Sequence, residues 1–272
     1  METRLSDNPE GQWRQDPSAF EDGACPGWQR LANELHAALL GRWERCLPPG
    51  ALVLKTDLFE EALSADPPWR AIESRGWRAV GMDIGRPLAA RARGRVSNAA
   101  GERRIVQSDA RRLAFRDDCL DAIFSNSTLD HFRTEEEIDA ALAEFHRILK
   151  PGGRLLLTLD NPSNPVIGLR NALPRRLTDR LRLTRFFVGR TLSAREAGAR
   201  LRRIGFDTLE SGTLMHAPRV LAIPLLRWAR AAGLPRLEAA LARLCRNAET
   251  LGRLPTARWT GHFIWLHARK PS

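Results

Sequence analysis

Residues 121–160, DAIFSNSTLDHFRTEEEIDAALAEFHRILKPGGRLLLTLD, constrain the fold more than any other stretch of the chain. Residues 121–125 are a short apolar run of strand type, followed by a polar loop at 126–132. Residues 135–149 place Ile138, Leu142, Phe145, Ile148 and Leu149 at the spacing of a helix with one buried face. Thr134, with Glu137 three residues on, predicts a capping box at its start. Pro151-Gly152-Gly153 stops the helix and turns the chain, and 154–159 is a nearly continuous apolar strand. Two apolar strands joined by a helix imply a parallel pair with a right-handed crossover. Ligands of such sheets bind beyond the carboxyl ends of the strands, so residues 126–131 and Asp160-Asn161 are the first candidates for a site.

The phrases FSNSTLDHF and FHRILKPGGRLLLTL resemble the fourth strand, fourth helix and fifth strand of class I S-adenosylmethionine-dependent methyltransferases of the small-molecule and lipid-modifying sort. The resemblance implies a Rossmann-like α/β fold: a doubly wound, mostly parallel sheet with an antiparallel last strand. It also implies S-adenosylmethionine as cofactor and chemistry that needs no metal.

Other segments are placed by the same resemblance. Residues 51–54 form the first strand, which in the family leads into a glycine-rich loop preceded by an acid; glycine lets the backbone approach the cofactor where any Cβ would collide. This chain reads VLKTDLFEEALSAD there, with no glycine from 51 to 75. Either Thr56 and Asp57 supply polar contacts and Lys55 meets the cofactor carboxylate, or cofactor binding is lost or rearranged. Residues 78–84 form the second strand, and Asp83, with Ile84 beside it, stands where a carboxylate accepts both ribose hydroxyls. A helix cap is the structural alternative for Asp83. After the third strand, 104–107, Asp109 would accept from the adenine amino group and Ala110 would leave room for the ring. Backbone groups of Asn126 and Ser127 would line the cofactor. Asp130 and His131 would face the substrate, with His131 a candidate general base held or tuned by Asp130.

Charge is divided unevenly. Residues 1–150 carry 21 basic and 25 acidic side chains, whereas 151–272 carry 22 and 7. A basic half-chain favours anionic partners: phospholipid surfaces, phosphorylated substrates or nucleic acid. Nucleic acid is disfavoured, because no RNA module is recognisable and the chain has no tyrosine for base stacking. The four cysteines are scattered, with no CxxC, which points to reduced thiols in a cytoplasmic protein.

Residues 1–24 read as a disordered tail and 25–272 as one domain with insertions at 166–192 and 217–257. In the first insertion, Leu177, Leu181 and Phe187 with Arg175, Arg176, Arg180, Arg182 and Arg185 make a basic amphipathic segment, suited to anionic lipid or to a lid. The expected function is methyl transfer to a small hydrophobic or anionic acceptor, lipid-linked or a secondary metabolite, with peripheral contact to an anionic membrane. The alternative is a methyltransferase-like scaffold without turnover.

Overall fold

The computed structural model describes residues 25–96, 104–174, 177–178 and 187–272. The residues of the expected tail, and Arg175, Arg176, Arg180, Leu181, Arg182 and Arg185 of the basic segment, lie outside them.

Seven strands form one sheet in the order β3-β2-β1-β4-β5-β7-β6. They are β1 (Leu52–Thr56), β2 (Arg78–Asp83), β3 (Ile105–Gln107), β4 (Leu120–Asn126), β5 (Leu149–Asp160), β6 (Asp207–Leu214) and β7 (Phe263–Arg269). β7 runs antiparallel to both β5 and β6, and the other pairings are parallel. The sheet is thus the doubly wound one expected, closed by a reversed last strand.

Both faces of the sheet are covered, which explains why its strands read as apolar runs rather than as alternating ones. Val53, Phe124, Leu156 and Trp265 pack on one side against α1 (Pro26–Leu39), α2 (Phe59–Leu63), α3 (Pro68–Glu73) and α4 (Arg86–Arg95). Leu54, Ile123, Leu155 and Leu157 pack on the other, against α5 (Glu135–Ile148) and α7 (Ala194–Ile204). The capping box of Thr134 and Glu137 is present on α5, and an equivalent one joins Ser193 to Glu196 on α7. Helix α6 (Pro165–Ala172) follows β5, while α8 (Arg219–Ala231), α9 (Pro235–Asn247) and α10 (Ala257–Thr260) lie between β6 and β7.

One boundary differs from expectation. Pro151-Gly152-Gly153 lies within β5 rather than before it: Leu149 pairs with Leu120, and pairing resumes at Arg154 with Ala122. Gly152 takes φ +78 there, so the glycine absorbs an irregularity in the strand instead of ending it.

The strand order reverses between β1 and β4, the position at which α/β sheets open a ligand crevice. Thr56 is in register with Met82 on one side and Ser125 on the other, and Asn126 with Thr158. The residues that follow these positions share one end of the sheet.

Candidate active site

The floor of the crevice is a hydroxyl network. Thr56 Oγ1 donates to Ser125 Oγ at 3.1 Å and lies 2.5 Å from Thr128 Oγ1. Thr158 Oγ1 donates to Asn126 Oδ1 at 2.8 Å, and the Ser127 N–H donates to the Thr158 carbonyl at 3.1 Å. Asn126 and Ser127 are held by these bonds at the β4 end, Ser127 with φ +50.

The loop after β1 solves the missing-glycine problem in its own way. Asp57 takes φ +61, the left-handed conformation that glycine would supply, and its Oδ1 accepts from the Phe59 N–H at 2.9 Å. Asp and Asn tolerate this region better than other side chains. Leu58 then turns inward over Gly81, where a Cβ would stand 2.8 Å from the Leu58 side chain.

Lys55 is fully buried and points into the protein. Its Nζ donates to the Thr56 carbonyl at 3.1 Å and to the Asp57 carbonyl, and lies 3.5 Å from Glu61 and 3.6 Å from Glu60. Burial alone would discharge the ammonium, but Glu61, Glu60 and Asp57 outweigh it and keep it charged. The expectation that Lys55 meets a cofactor carboxylate is therefore corrected: its ammonium is spent on shaping the loop, and an outside carboxylate would have to open this cluster.

Asp83 ends β2, buried, and accepts from Leu58 N–H at 2.9 Å and Gly85 N–H at 2.6 Å, one bond to each oxygen. Burial raises its pKa against those two bonds and against Lys55. Each carboxylate oxygen can accept more than one hydrogen bond, so the carboxylate retains acceptor capacity while it ties the β1 loop to β2. Ile84 beside it accepts at its carbonyl from Gln107 Nε2 at 3.2 Å. Asp109 is half-buried, which would raise its pKa, but a bidentate pairing with Arg111 holds it below the ordinary carboxylate value. Ala110 is buried beside it.

Asp130 and His131 separate in role. Asp130 is buried, with Oδ2 accepting from the Asp160 N–H at 2.9 Å. Burial, then the neighbouring Asp160 charge, push its pKa well above the carboxylate range. His131 is held by a different group: its Nδ1 lies 2.7 Å from the Phe187 carbonyl oxygen. A carbonyl only accepts, so Nδ1 carries the proton and Nε2 is the basic nitrogen. Burial lowers the His131 pKa below its ordinary value, leaving the ring neutral near pH 7. The expected tuning of His131 by Asp130 is thus corrected to orientation by Phe187.

Residues 187–190 strap onto this loop through Gly189 N–H to Asp130 O at 2.6 Å and Arg190 N–H to Phe132 O at 2.7 Å. A Cβ on Gly189 would collide with the Phe132 carbonyl oxygen. Gly189→Ala is expected to lift the strap, exposing it to limited proteolysis at rates at least about tenfold above wild type, since a clash of that size requires backbone movement.

Beside the expected Asp160 and Asn161, the acceptor side contains Arg170, Arg219 and His262, which the sequence did not single out. Asp160 pairs with Arg170 at 2.8 Å, its Oδ1 lies 3.8 Å from His262 Nε2, and Arg219 reaches the same nitrogen at 3.4 Å. Burial drives the His262 pKa down to about 4, so that ring is neutral near pH 7. Asn161 is not available to a substrate: its Nδ2 donates to Arg258 O and Gly261 O, fixing the entry to β7. His36 of α1 is buried, with Nδ1 2.9 Å from Ala32 O and Nε2 without a hydrogen-bond partner. Among the described residues, no group of three or more His, Cys, Asp or Glu could hold a metal ion, and no helix is long and apolar enough to cross a membrane.

Residues 66–157 match a family model described as a methyltransferase domain, a match that begins beyond the unusual β1 loop. Demethylmenaquinone methyltransferase of Thermus thermophilus is 36% identical over 90 residues, 33% of this chain and 39% of that protein. The tRNA (carboxymethyluridine(34)-5-O)-methyltransferase of Arabidopsis thaliana is 34% identical over 80 residues, 29% of this chain and 18% of that protein. The chain thus spans less than half the length of each of these relatives. Phosphoethanolamine N-methyltransferase 2 of Haemonchus contortus, solved with S-adenosyl-L-methionine, shares the fold at a TM-score of 0.59 and 16% identity, over 87% of this chain and 52% of that one.

Proposed function

We propose that this chain is a class I S-adenosylmethionine-dependent methyltransferase, a reading that its methyltransferase-domain match supports, and that it methylates a small hydrophobic or anionic acceptor at an anionic membrane surface. The observation that carries the reading is the alignment of Asp83, the β4 end and a neutral, oriented His131 along one end of the sheet. The residues present fit the adenosine half of the cofactor: Asp83 keeps lone pairs for the ribose hydroxyls, and buried Ala110 with Asp109 offers a flat wall and an acceptor for the adenine. Thr56 and Asp57 stand at the methionine half, in a loop whose conformation replaces the glycines. Bound S-adenosylmethionine supplies a methyl group on a sulfonium, which leaves as a neutral thioether.

Within the chain, His131 Nε2 takes the proton that the acceptor's O–H, N–H or C–H gives up, while the Phe187 carbonyl holds the ring. Positioning at the mouth carries the rest. Arg170 and Arg219 stand at the acceptor side beside Asp160 and His262, a setting that suits an anionic acceptor.

The test is transfer of radiolabelled methyl from S-adenosylmethionine to extracted lipids, isoprenoid quinones and total tRNA, with His131→Ala and His131→Gln alongside. Label in the lipid or quinone fraction supports the reading; label in tRNA alone overturns the choice of acceptor. Because the His131 pKa is lowered, its base form persists below the usual histidine range. The wild-type rate is expected to stay flat between about pH 8 and about pH 6.5 and to fall only in more acidic buffer. A fall centred above pH 7 would remove His131 as the base.

A second reading is favoured by one observation: both Asp83 oxygens already hold backbone N–H groups of the glycine-free loop. On that reading the protein is a non-catalytic binding or scaffold protein, and a folded wild type that binds neither S-adenosylmethionine nor S-adenosylhomocysteine would establish it.

A further inference from the structure

We propose that the outer face of α8, with the exposed residues that lead into β7, is a docking surface for an anionic lipid bilayer. Helix α8 is apolar on two sides. Ala222, Leu226 and Ala229 are buried and fix the helix to the fold, with Leu226 beside Gly27 of α1. Leu221, Leu225 and Trp228, at helical spacing on another face, are 62%, 47% and 57% exposed, and Val220 is 56% exposed. Farther along, Leu254 and Trp259 are also exposed, and Arg258 stacks on the Trp259 ring at 4.1 Å. An amphipathic surface carrying tryptophans and leucines with arginine beside them suits the boundary between headgroups and acyl chains.

Charge selects the occupant. Residues 217–259 hold eight arginines and two acids, Glu238 and Glu249. Glu238 faces Arg230 at 3.9 Å, and Glu249 accepts from the Met215 and His216 N–H groups. Both acids are thus engaged within the fold. A second copy of the chain meeting this face about a two-fold axis would bring the arginines against themselves, whereas anionic headgroups neutralise them. The position also serves the site: Arg219, the first residue of α8, reaches His262 at the acceptor side of the crevice. Docking there sets the mouth on the membrane. The proposal rests on the reading of a lipid-like acceptor for its purpose, but the binding itself is measured without catalysis.

The experiment is sedimentation of the full chain with vesicles of phosphatidylcholine alone and of phosphatidylcholine with about 30% phosphatidylglycerol. Wild type is expected to sediment with the anionic vesicles, at least tenfold more than with neutral ones, and to be released by salt. The triple variant Leu221→Ser, Leu225→Ser, Trp228→Ser is expected to lose at least tenfold in partitioning while keeping its melting temperature and its affinity for S-adenosylhomocysteine. Should the triple variant misfold, Arg227→Glu, an exposed single change, is expected to lower partitioning severalfold. Wild type that stays in the supernatant, or variants that sediment as wild type does, overturns the proposal. A wild-type dimer that becomes a monomer in the triple variant, without vesicle binding, assigns the face to a second copy instead. Vesicle binding together with methyl transfer only to tRNA would leave the docking standing and sink the lipid-like acceptor.

Discussion

Replacing Asp83 with alanine is expected to lower the affinity for S-adenosylhomocysteine at least about 100-fold in calorimetric titration. Hydrogen bonds to a charged acceptor contribute about 1.5–3 kcal/mol each, and the substitution removes the carboxylate proposed to accept both ribose hydroxyls. It also releases the Leu58 and Gly85 N–H groups that the carboxylate now holds, so the β1 loop loses its tie to β2. Asp83→Asn separates these contributions. An amide presents one acceptor oxygen and one NH2 group, so it can serve one of the two backbone donors but must face the other with its own hydrogens. Its affinity should fall between wild type and alanine. Asp109→Ala is expected to cost about tenfold, because Asp109 is half-exposed and already paired with Arg111. Alanine at 83 that binds as wild type does would show that Asp83 serves only the loop.

The division of labour around Asp83 marks what the sequence could and could not reveal. The β4–α5–β5 unit was legible because three local signals agreed: apolar runs, a helical stripe and the capping box at Thr134. The acids at strand ends were legible from their place in the order of strands. The direction of Lys55 was not, because a lysine after a strand gives no sign of whether its ammonium faces a ligand or the interior. The one local hint was the acids at 57, 60 and 61, which with hindsight form its cage. The partner of His131 was hidden for a different reason: Phe187 lies 56 residues away, in a segment whose amphipathic pattern pointed to lipid or a lid rather than to the site. The exposed face of helix α8 was hidden for a third. A helix apolar on two faces reads from sequence as simply buried, and only the fold shows which face is covered.

The buried lysine gives the second large effect. Lys55→Met is expected to lower the melting temperature by about 10 °C near pH 8, because removing one partner of a buried ion pair costs about 3–5 kcal/mol. The deficit should depend on pH in a definite direction. Burial raises the Glu61 pKa from 4.5 to about 7, with Lys55 pulling it down and Glu60 pushing it up. A carboxyl raised on folding contributes stability that is present below its unfolded value and lost as pH rises through its folded one. In the methionine variant the Lys55 charge no longer opposes the shift, so Glu61 holds its proton to higher pH and folding costs more as alkali strips it. The deficit is therefore smallest near about pH 5.5 and widens toward about pH 8. Lys55→Met with Glu61→Gln removes the stranded carboxyl and should recover part of the loss, a coupling that the double-mutant cycle reads directly. Thermal melts of the four proteins across that range decide the matter. A deficit independent of pH, with no recovery in the double variant, would mean that Lys55 acts through its buried alkyl chain rather than through its charge.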